Sequence, residues 1–85
     1  MQLEGAVIRE QGITFGVLIV KNHVLSDPGA RDRIVRQASR VFGGIPTVLM
    51  GQSGGKAKFY GRKDIARFMA TVPISSVPWQ RYTFN

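Results

Sequence analysis

Residues 13–20, ITFGVLIV, are apolar on both faces of an extended chain: Phe15, Val17 and Ile19 on one, Leu18 and Val20 on the other. Successive side chains of a strand point to opposite faces, so such a strand belongs in the middle of a sheet with both faces covered. Something must pair beside it, and something must pack above and below. Residues 3–9, LEGAVIR, are also β-rich, and Glu10-Gln11-Gly12 is a short polar break ending in glycine, which predicts a hairpin. Gly5 and Gly16 weaken the two strands locally and mark a bulge or a close backbone approach.

The longest clean helical period runs from Asp27 to Phe42, after a polar exit at Lys21–Ser26. At about 100° per residue, Ile34, Val35, Ala38, Val41 and Phe42 gather on one side. Arg33, Arg36 and Arg40 form a stripe opposite, with Gln37 beside them. Asp27 suits the N-cap and Pro28 the first helical position, where its missing N–H costs nothing. Gly43-Gly44 ends the helix. The apolar side, Ile34 to Phe42, is expected to dock as the hub of the core.

Pro46 opens a β segment, Thr47 to Met50, and Lys56 to Tyr60 reads as its hairpin partner across Gly51-Gln52-Ser53-Gly54-Gly55. A second helix is predicted from about Arg62 to Val72. Its apolar stripe is Ile65, Phe68, Met69 and Val72, with Lys63 and Arg67 pointing away and Pro73 as the stop. After a connector, Trp79 to Phe84 is a last edge strand or an aromatic arm. A helix between Val20 and Thr47 allows the strands on either side of it to be parallel. The expectation is a single α+β domain over residues 1–85, of two-layer α/β type. It has a mixed four- or five-stranded sheet and two helices, in the order β-β-α-β-β-α-(β).

Composition removes several chemistries. There is no cysteine, hence no disulfide framework, thiolate metal site or thiol redox couple. MQLEGAVIREQ lacks the charged and apolar regions of a signal peptide. The longest apolar run, Val17–Val20, is far below the roughly 20 residues a bilayer span needs, so a cytoplasmic location is expected. Gly51-Gln52-Ser53-Gly54-Gly55 matches G-x-S-x-G, but a nucleophile elbow needs a helix after the serine, and a strand follows here. The same loop through Lys56 has one residue too few between its glycines for a P-loop, and Ala57 stands where Ser or Thr is required. His23 has no second ligand nearby, and five acids offer no carboxylate pair for acid–base work. No enzyme activity, metal or cofactor is expected.

Gly44-Ile45-Pro46-Thr47-Val48-Leu49, then Lys58-Phe59-Tyr60-Gly61 and the helix through Phe68, resemble the C-terminal half of the thioredoxin family. There a cis proline starts a strand, a hairpin follows and a terminal helix closes the fold. The resemblance implies that Pro46 corresponds to the cis proline. It carries no redox activity, because the family's CxxC is missing, and the N-terminal hairpin is not its usual strand-helix opening.

Charge supplies the functional expectation. Between Arg31 and Arg67, six Arg and three Lys face only Asp32 and Asp64, which accounts for the net +7. Such a local excess favours phosphate-bearing or acidic surfaces as partners. The chain is therefore expected to be a small basic binding module whose favoured partner is a polyanion such as nucleic acid. The expected contacts are Arg33, Arg36, Arg40, Lys56, Lys58, Lys63 and Arg67. The alternative is a homo-oligomeric or adaptor subunit without nucleic-acid binding, joined through Trp79, Tyr82 and Phe84.

Overall fold

The structure is a computed structural model that describes residues 2–10 and 12–83. Five strands form one mixed sheet in the order β4-β3-β2-β1-β5: β1 Gln2–Glu10, β2 Ile13–Ile19, β3 Thr47–Ser53, β4 Lys56–Tyr60 and β5 Gln80–Thr83. The two-sided apolar strand β2 is central, with Val17 and Leu18 fully buried. It pairs antiparallel with β1, from Gly5 opposite Leu18 to Glu10 opposite Ile13. On its other side it pairs parallel with β3, from Gly16 opposite Thr47 to Ile19 opposite Met50. The expected α+β class and mixed sheet are what the chain adopts, and the optional last strand is real.

Helix α2 spans Pro28–Val41. The Asp27 carboxylate accepts from the Ala30 N–H at 3.2 Å, so the N-cap forms as the sequence suggests. At the other end Gly43 and Gly44 both take positive φ. The Gly44 N–H donates to the Ser39 carbonyl and the Gly43 N–H to that of Arg40, the paired bonds of a Schellman motif. Helix α3 is Lys63–Met69, shorter than expected, and a 3-10 turn at Ile74–Ser76 follows Pro73. The supposed polar exit contains a one-turn helix, α1 (Asn22–Leu25). Its Leu25 lies over Gly51, where a β-carbon would come within 2.8 Å of a leucine methyl.

Two apolar clusters lie on opposite faces of the sheet. Ala6, Phe15, Val17, Val48 and Met50 meet Ile65 and Met69 of α3, with Val77, Ile74 and Trp79 closing the side. Leu18, Val20 and Leu49 meet Ala38 of α2, with Ile34, Val35, Phe42, Leu25 and Tyr82 around them. The helices therefore divide between the faces, and the expected two layers become helix, sheet, helix. That arrangement is the one β2 demands, since both of its faces need cover. The buried side of α2 centres on Ala38, with Ile34, Val35 and Phe42 half-buried. Val41 is 41 % exposed, against expectation. It stands at the border of the apolar stripe in the last turn, and the helix is rotated toward Val35 and Phe42.

Gly54 and Gly55 both have positive φ and form a two-residue turn between Ser53 and Lys56, which are paired. Ser53 thus ends a hairpin strand, and no helix follows it. No described peptide bond is cis, so the Ile45–Pro46 bond is trans and the implied cis proline is absent.

Candidate nucleic-acid interface

Alternation along β4 decides where its lysines go. Ala57 and Phe59 belong to the α3-side cluster and Tyr60 to the α2-side cluster. Lys56 and Lys58 therefore share the α2 side with Tyr60. Both are exposed, as are Arg33, Arg36 and Arg40 on the outer face of α2. The structure brings these five cations to one side of the sheet. Lys63 and Arg67 are exposed on α3, whose Ile65 and Met69 pack on the other face, so they belong to the opposite side. The seven expected contacts do not form one surface.

Among the described residues the only ion pair is Arg62–Asp64, at 2.7 Å between exposed side chains. Arg62 donates two hydrogen bonds to the Asp64 carboxylate, whose Oδ1 also accepts from the Ile65 N–H. The bond from Arg62 holds the Asp64 carboxyl below its usual range, with the Ile65 N–H adding to it. The same bond raises the Arg62 guanidinium. Among the described residues, the five cations on the α2 side have no such partner.

Arg31 has a different role. Its guanidinium lies 4.2 Å from the centre of the Tyr60 ring, and its Nη1 donates to the Leu25 carbonyl at 3.0 Å. It ties α1, the start of α2 and β4 together and is half-buried in doing so. Next to it the Asp32 carboxylate faces the Tyr60 hydroxyl, at 3.5 Å. Beyond Tyr60 a groove of about 470 Å³ opens between α2 and the β3–β4 end of the sheet, lined by Asp32, Val35, Arg36, Thr47, Tyr60 and Arg62 among others. Sequence reasoning missed Tyr60, Asp32 and Arg62 as parts of one site. The period-two pattern Lys56, Lys58, Tyr60 was the signal for the first. Nothing local connects the other two.

The aromatic tail is placed against its own chain. The Tyr82 ring meets Phe42 edge to face, with centroids 4.9 Å apart. The Trp79 indole N–H donates to the Ile74 carbonyl at 3.0 Å, and its ring packs on the α3-side core. Phe84 lies outside the described residues. Among the described residues no strand pairs with the outer edge of β5.

No family model matches the chain, and comparison with curated proteins and with solved structures returned no match. No helix among the described residues is long and apolar enough to cross a membrane.

Proposed function

We propose that this chain is a small non-enzymatic binding module that docks a nucleic-acid backbone on the α2 side of its sheet. Arg33, Arg36 and Arg40 make the central contacts, with Lys56 and Lys58 flanking them. The observation that carries the reading is that these five exposed cations share one side and none sits in an ion pair among the described residues. A guanidinium presents a planar fork of donors that matches two phosphate oxygens, and three of them stand in one row. Lys63 and Arg67, on the far side, add only to the long-range field. A cytoplasmic location goes with this reading.

Fluorescence anisotropy with labelled DNA and RNA tests it. Affinity should fall steeply with salt, with a log–log slope of about −2 to −4.5 for three to five neutralised phosphates. Combining Arg33→Glu, Arg36→Glu and Arg40→Glu should abolish binding and leave the fold intact. Lys63→Glu with Arg67→Glu should weaken it only modestly. Absence of binding at low salt, or equal losses from both sets, would refute the assignment.

The second reading, a homo-oligomer, rests on the outer edge of β5, which is unpaired among the described residues. Because Trp79 and Tyr82 pack on their own cores, the strand's backbone edge is what a second copy would meet. Sedimentation that finds only monomer at high concentration would end that reading.

A further inference from the structure

We infer that the groove beside α2 receives one unstacked base, so that the module selects single-stranded nucleic acid over duplex. The inference rests on the reading above and adds the form of the ligand. Its starting point is Arg36, which belongs both to the arginine stripe and to the groove wall. A phosphate held there brings its own sugar and base to the opening. Across the groove Arg62 supplies a second guanidinium, held by Asp64.

Asp32 offers a base an acceptor inside the groove. It lines the wall, where its carboxylate offsets one of the two guanidiniums of Arg36 and Arg62, so phosphate is held better outside on the stripe. The ring or exocyclic N–H of an uncharged base can donate to that carboxylate. Tyr60 is part of the wall, and the ring face away from Arg31 is the one a base would stack on. Arg31, which is not part of the wall, covers one face of the ring and holds it in place. Base–aromatic stacking is the usual device for holding single strands without reading sequence. The volume, about 470 Å³, falls among small-ligand pockets. A duplex keeps its bases stacked inside and could touch only the stripe, which spans about 10 Å from Arg33 to Arg40 by the helical rise.

The test compares a short labelled single strand with the duplex of the same sequence at one low ionic strength. Charge density alone favours the duplex, so tighter binding of the single strand by wild-type protein is the expected and informative result. Tyr60→Leu keeps apolar bulk but removes the aromatic surface, and it should lower the single-strand preference roughly tenfold. In wild-type protein, amide resonances of Val35, Thr47 and Gly61 should move when the single strand is added; this reads the groove whether or not the variant folds. Equal or tighter duplex binding, a preference untouched by Tyr60→Leu, or shifts confined to Arg33 and Arg40 would each overturn the inference and leave the stripe reading standing. No binding of either probe would overturn both.

Discussion

Gly16 sits under the end of α2, and substituting it gives the sharpest test of how helix and sheet meet. A β-carbon at Gly16 would lie 2.5 Å from Cδ2 of Phe42 and 2.7 Å from Cε2. Ordinary contact begins near 3.4 Å, so the ring must move by most of an ångström. It has little freedom to do so, because Phe42 is the residue before Gly43-Gly44 and its ring meets the Tyr82 ring edge to face. Overpacking of this kind costs about 1–3 kcal/mol, and losing the aromatic pair adds about 0.5–1.5. Gly16→Ala should therefore destabilise by about 1.5–4.5 kcal/mol, centred near 3. Phe42→Ala should cost about 2–4 kcal/mol, below the top of the range for a fully buried phenylalanine because the ring is half-exposed. In the Phe42→Ala background the new methyl meets open space, and alanine suits a strand better than glycine by about 0.5–1 kcal/mol. There Gly16→Ala should be neutral or stabilising, a coupling of about 2–4 kcal/mol between the two sites. Urea denaturation of the four proteins, with matching m-values, measures it. If Gly16→Ala costs the same in both backgrounds, Phe42 does not pack on β2 and the docking of α2 is wrong.

Gly5→Ala should be at least as damaging and should resist rescue by any single truncation, since its β-carbon would come within 2.7 Å of the Val17 backbone oxygen; the same denaturation assay checks it. Asp27→Ala removes the cap on α2 and should cost about 1 kcal/mol, read as a lower urea midpoint with an unchanged m-value. The Asp64 carboxyl, held below its usual range by Arg62, contributes stability above the unfolded carboxylate pKa, which is lost as pH falls through the lowered folded value. The contribution is small because both partners are exposed. A carbon-detected titration should place Asp64 below an ordinary aspartate in wild-type protein and move it part of the way back in Arg62→Gln, the Ile65 N–H remaining as a donor.

Local pattern was enough for several elements. The capping residue, the apolar period and the paired glycines define α2 nearly to the residue, because each acts within one turn of the chain. Alternation marks β2 as central, and the glycine pair marks the β3–β4 turn. Gly5 and Gly16 as sites of close approach were legible too, though not what approaches them. The short helix α1 was not, since Lys21–Ser26 has no period to show and its Leu25 is held by contact with Gly51.

The candidate site divides along the same line. That Arg33, Arg36 and Arg40 share one face of a helix follows from 3.6 residues per turn and needs no neighbours. Which face of the sheet each helix covers depends on pairings between residues far apart in sequence. Those pairings put Lys56 and Lys58 with the arginines, and Lys63 and Arg67 behind them. Arg31 looks like any other cation in the sequence, yet packing on Tyr60 and a bond to the Leu25 carbonyl make it a structural tie. The groove joining Arg36, Asp32, Tyr60 and Arg62 exists only once α2 lies across the sheet. Sequence by itself determined the elements other than α1, and the arginine stripe of α2, because those follow from neighbours a few residues away. Tertiary structure alone decided which other charges join that stripe, because a sheet's two faces are equivalent until distant strands pair and one helix settles on each.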